Sequence, residues 1–93
     1  MNYLEITDKA THVLKTGAGY FQGYVVNAAG SSWTIQIFDD ITASSPKGTI
    51  AGGSAAVAMQ AAGSTMAYDV HFSNGLTIVT AGTTAGSITV AWY

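Results

Sequence analysis

The segment from Met66 to Tyr93 leaves the fewest folds open, because strand patterning and turn chemistry agree in it over three successive runs. In Met66–Phe72, Tyr68, Val70 and Phe72 alternate with Ala67, Asp69 and His71. That is the period of a strand with one buried and one wetter face. Ser73-Asn74-Gly75 then supplies turn residues, and an Asn-Gly pair between alternating runs is a strong hairpin signal that calls for positive φ. Leu76–Thr80 follows, and small residues lead into Ser87–Tyr93, where Ile88, Val90 and Trp92 share a face. The pattern predicts a three-stranded meander whose core centre is Tyr68, Val70, Phe72, Leu76, Ile78, Ile88, Val90 and Trp92. The terminal aromatic pair Trp92-Tyr93 predicts a paired or docked end, since frayed tails are usually small and polar.

The rest of the chain reads as further short strands. Tyr3–Thr7 and Ala10–Lys15 alternate, and Tyr20–Asn27 is rich in aromatic and β-branched residues. Gly23 inside that run predicts a bulge or a close backbone approach. Trp33–Phe38 places Trp33, Ile35 and Ile37 on one face and Thr34, Gln36 and Phe38 on the other. Asp39–Gly48, with Ser45-Pro46, predicts a surface loop. Residues 53–64 are the ambiguous part: their alanines favour helix, but no charged outer face is present and glycines flank the run. A strand or extended edge is the preferred reading there, with a helical turn as the alternative. The total is seven or eight strands at spacings of about eight to twelve residues, which predicts an all-β single domain over residues 1–93, an antiparallel β-sandwich or jelly-roll-like fold.

Charge is scarce. Eight of 93 residues are Asp, Glu, Lys or Arg, a fraction of 9%, against about a quarter in ordinary domains. Such a surface offers little repulsion between copies and predicts a protein that sits among neighbours. A net charge of -2 with scattered basic residues excludes the electrostatic footprint of a nucleic-acid binder. No window approaches a membrane-spanning helix, and there is no cysteine for disulfides or thiolate chemistry. Synthesis and folding in the cytoplasm is the expectation.

No constellation for catalysis, metal or cofactor binding emerges. Asp39-Asp40 lacks calcium-ligand spacing and is expected to cap backbone N–H groups in a turn. His12 and His71 have no ligand-spaced partner; a hydrogen bond between His71 and Asp69 is one reading, and a polar strand face exposed to solvent or to a partner is the preferred one. The serines sit in no nucleophile elbow, and the glycines form no phosphate loop. Aromatic residues are the better lead. Those on the second faces of their strands or near the ends of the chain make Tyr3, Leu4, Phe38, Trp92 and Tyr93 the candidate interface residues.

Tyr3–Gly19 and Phe72–Tyr93 together resemble, in texture and turn placement, the small virion structural proteins of tailed bacteriophages, capsid decoration or cement proteins among them. The resemblance implies a β-sandwich on the capsid surface of a virion, a homo-oligomer with a trimer favoured, and the major capsid protein as partner. No catalytic residues come with it. The alternative is a tail or head fibre piece, or a lectin-like receptor-binding module, which an exposed pair of aromatics beside a polar groove would favour. Residues 1 to 7 are expected to serve attachment more than folding.

Overall fold

The computed structural model describes residues 1–43 and 48–93. Among these are nine strands and no helix: β1 (Asn2–Ile6), β2 (Thr11–Thr16), β3 (Gly19–Ala28), β4 (Ser31–Phe38), β5 (Thr49–Ala51), β6 (Val57–Ala58), β7 (Thr65–Phe72), β8 (Gly75–Thr84) and β9 (Ser87–Trp92). The count exceeds the expected seven or eight because residues 49–58 form two fragments, extended as preferred over a helical turn. The dipeptide Ser45-Pro46 lies outside the described residues.

Two antiparallel sheets stack face to face. Sheet A has the order β1-β9-β3-β7, and sheet B the order β2-β8-β4-β5, with β6 also paired to β4. Apart from the run β4 to β6, each successive strand enters the opposite sheet. This wrapping of a folded-over ribbon is the jelly-roll arrangement, a β-sandwich in which sequence neighbours face one another across the core.

That topology overturns the meander. β7 and β9 both pair with β3 in sheet A, whereas β8 pairs with β2 and β4 in sheet B. Ser73-Asn74 is therefore a crossing between sheets, and neither Asn74 nor Gly75 has positive φ. Gly75 is needed for space instead. A Cβ on it would lie 2.8 Å from the Lys15 carbonyl oxygen and 2.9 Å from Ile41 Cγ2.

The core fills from both sheets. Ile6, Phe21, Tyr24, Val26, Phe72, Ile88 and Val90 come from sheet A, and Trp33, Ile35, Ile37, Leu76 and Ile78 from sheet B. Five of the eight expected core residues are buried, while Tyr68, Val70 and Trp92 pack against the cluster partly exposed. Tyr68 stacks on Phe21 at 5.4 Å. Ile6 is in the core and all of β1 pairs with β9, so residues 1 to 7 serve folding as well as any attachment.

Gly23 behaves as its place in a strand predicts. Its φ is +146°, the β3 register breaks against both β7 and β9 there, and a Cβ would run into the Met66 carbonyl oxygen. On the β7 side, Tyr68 and Asp69 oppose the single residue Gln22, and Asp69 adopts a left-handed φ of 50°. Two sheet irregularities thus meet at Gln22.

The few buried polar groups are satisfied. Thr80 Oγ1 donates to the Asp8 carbonyl at 2.7 Å, and the Trp33 indole donates to the same oxygen at 3.3 Å. Asp39 acts as the capping residue expected of it, although its partners come from a distant link. Its carboxylate accepts from the backbone N–H groups of Ser73 at 3.0 Å, Asn74 at 2.8 Å and Gly75 at 3.4 Å. Burial works against its ionisation, but the donors of Asn74, Ser73 and Gly75 outweigh burial and hold the carboxyl below its ordinary value.

Candidate interaction face

Of the five candidate interface residues, the structure removes one. Phe38 is 1% exposed. Its cross-strand neighbour Thr77 is also fully buried and donates to the Asp40 carbonyl at 2.7 Å. The Asp40 backbone therefore lies on the outer side of sheet B beside Phe38, a position that strand alternation alone places in solvent.

The other four meet at one corner of sheet A, because β1 begins where β9 ends. Tyr3 pairs with Ala91 and Leu4 with Val90, while Asn2 pairs with Trp92. Tyr3 is 67% exposed, Tyr93 49% and Leu4 36%. Trp92 is partly buried against the core. Tyr93 is docked as predicted: its N–H donates to the Tyr20 carbonyl at 2.8 Å, and its own oxygen accepts from Lys15 Nζ at 3.0 Å.

Among the described strands, β1 is also the edge with the fewest obstacles to pairing. Unpaired edges are normally blunted by bulges, charges or brevity. β2 carries a register break between Val13 and Lys15 together with that lysine. β7 carries its bulge with the left-handed Asp69, and β5 and β6 are fragments of three and two residues. β1 has no register break and is longer than the β5 and β6 fragments, so a single charge is its one defence. It runs through five regular pairs with β9, has no strand on its other side, and bears Glu5 as its one charged residue.

The outer face of sheet A adjoins this edge. At one end, Asn27 Nδ2 donates to Ser87 Oγ at 3.2 Å and Thr89 Oγ1 at 3.0 Å, and Ser87 Oγ donates to Glu5 Oε2 at 2.6 Å. At the other end, the Tyr20 ring meets His71 edge-on at 5.0 Å and Tyr93 at 5.9 Å. Asp69 does not bond His71 in this arrangement. It accepts from the Tyr20 hydroxyl at 2.9 Å, and that bond, with burial and the carboxylate's charge, raises the Tyr20 pKa. Tyr24 is raised further, chiefly by burial and then by Tyr68, so its hydroxyl stays protonated while donating to Gln60 Oε1 at 2.7 Å.

Between the two ends a row of cross-strand neighbours, Tyr3, Ala91, Gly23 and Ala67, spans all four strands. The three small residues leave a concavity of about 250 Å³, which Tyr3, Gln22, Thr65, Asp69 and Thr89 also line. Sequence reasoning missed Gln22 and Thr65, and the one signal available was the misplaced Gly23. Among the described residues no three His, Cys, Asp or Glu side chains converge into a metal-binding group. Compared with protein-family models, curated proteins and solved structures, the chain matches none.

Proposed function

We propose that the chain is a non-enzymatic structural protein of a bacteriophage virion, a decoration or cement protein that binds the major capsid protein, bridges neighbouring capsomers and associates with copies of itself. The observation that carries this reading is the β1 edge, free of any register break and flanked by exposed Met1, Tyr3 and Leu4. A free edge of this kind offers main-chain hydrogen bonds to an incoming strand, and the apolar side chains beside it supply burial. The scarcity of charge fits the same role, because little repulsion opposes close approach.

Cement action is many weak contacts multiplied by symmetry. A contact of about 800 Å² per partner is modest alone, but an oligomer that engages several shell sites at once gains avidity without any new contact. If β1 of one copy meets a different patch of the next, the contact is heterologous and forms a ring when its rotation closes. A three-fold ring matches the junctions where capsomers meet. The test is binding of the purified protein to undecorated shells: wild type should cosediment with them, and the exposed-surface variant Tyr3→Lys/Leu4→Lys should fold normally and remain in the supernatant. Equal binding by both would remove β1 from the contact.

The alternative, a fibre or lectin-like module, is favoured by a separate observation, the Tyr3-walled concavity on the outer face of sheet A. A monomer in solution with no affinity for shells would move the assignment to that class.

A further inference from the structure

We propose that the concavity on the outer face of sheet A is a binding site for a single neutral pyranose, an activity separate from attachment to a shell. Its size comes first. At about 250 Å³ it falls below the roughly 300–1,000 Å³ of sites for drug-sized ligands, which restricts the occupant to something like one sugar ring. Its walls divide as a sugar does. Tyr3 presents an exposed aromatic ring beside the small-residue floor, a surface for the apolar C–H face of a pyranose. Around it stand polar groups that suit hydroxyls, each of which donates and accepts.

Those polar groups are only partly engaged: Thr89 and one Asp69 oxygen already accept hydrogen bonds, while the Gln22 and Thr65 side chains keep their capacity for a ligand. The Glu5, Ser87, Asn27 and Thr89 side chains bond one another at one end of the face. Asp69, in contrast, has its Oδ1 taken by the Tyr20 hydroxyl, which steadies the carboxylate and leaves Oδ2 open. The paired irregularities at Gln22 and Asp69 set both side chains on the rim of the concavity. Preorganised polar groups around an apolar floor are what fix a small ligand's orientation.

Charge selects the neutral sugar. Asp69 is the one charged side chain lining the concavity, which Met1 also lines, so a uronic or sialic acid would bring its carboxylate up to one already there. A compact cation would use Asp69 and the Tyr3 ring but leave Gln22 and Thr65 without a role.

The experiment is amide NMR titration of the full chain with the methyl glycosides of glucose and galactose and with N-acetylglucosamine. Tetramethylammonium and glucuronate serve as the two charged probes. The expected result is saturable shifts at Gln22, Gly23, Asp69 and Ala91 with at least one neutral sugar and with neither charged probe. Gln22→Ala should weaken binding by about 10-fold or more, as should Asp69→Asn, which keeps a residue type tolerant of the left-handed backbone. Unchanged amide dispersion will confirm that both variants fold. No saturable shift with any neutral sugar would overturn the proposal, as would tighter binding of a charged probe or affinity indifferent to Gln22→Ala. Gln22→Ala should still bind shells, so failure here and failure of the cement reading are separable.

Discussion

The outer faces of the two sheets have been finished differently, although their inner faces share one core. Sheet B is partly roofed: the Asp40 carbonyl accepts from Thr77, Phe38 beside it is buried, and Gln36 Nε2 donates to the Gly53 carbonyl at 2.6 Å. Sheet A is left open, with rings at one end, a hydrogen-bonded polar patch at the other, a concavity between them and a free edge alongside. The difference teaches that exposure here follows chain path more than residue type. Phe38 and Tyr93 are both aromatics outside the main core cluster, yet one is buried and the other is half exposed.

Substitutions can break this contrast. The largest losses should come from the shared interior and the roofed side. Phe72→Ala and Phe38→Ala should each cost about 3–5 kcal/mol in denaturant titration, whereas Tyr93→Ala should cost less than about 1 kcal/mol. A Phe38 variant as mild as the Tyr93 variant would mean the roof is not closed. Next come the glycines at close approaches. Gly23→Ala forces a side chain into the Met66 carbonyl, and Gly75→Val meets Lys15 and Ile41, so each should destabilise by about 1–3 kcal/mol.

The Asp39 clasp is a smaller effect with a pH signature. Asp39→Ala should cost about 0.5–1.5 kcal/mol at neutral pH by removing the acceptor shared by the Ser73, Asn74 and Gly75 N–H groups, the first two of which water can then reach. Because the folded carboxyl titrates below its unfolded value, its stabilisation is fully present above the unfolded pKa. It is lost as pH falls through the lower folded one. Wild type and Asp39→Asn should therefore converge in stability in strong acid, and a gap that widens there would contradict the clasp.

The sequence revealed the strands better than their partners. Alternation says which residues face a core, so Trp33, Ile35, Ile37, Ile88 and Val90 were legible from period alone. It says nothing about which sheet a strand joins. A tight hairpin and a crossing between sheets both need a short polar link, and Ser73-Asn74 serves the second while carrying the residues of the first. Gly23 was readable because a glycine in a strand interior weakens the strand and is kept where a bulge or a close backbone approach requires it. Phe38 was not, since its burial depends on tertiary chain path. The concavity was hidden for a related reason: Gly23, Ala67 and Ala91 become neighbours only once two registers are set.

The smallest effect on folding should accompany the largest effect on association. Tyr3→Lys/Leu4→Lys on the edge of sheet A and Val13→Lys on the edge of sheet B all place lysine at exposed apolar positions, and each should change stability by less than about 1 kcal/mol. Sedimentation velocity of the wild type and these two variants, on the order of tens of micromolar, separates the sheets directly. The account predicts an oligomer for wild type and for Val13→Lys, and a monomer for Tyr3→Lys/Leu4→Lys. A monomeric wild type, or dissociation by Val13→Lys with the β1 variant still assembled, would contradict it.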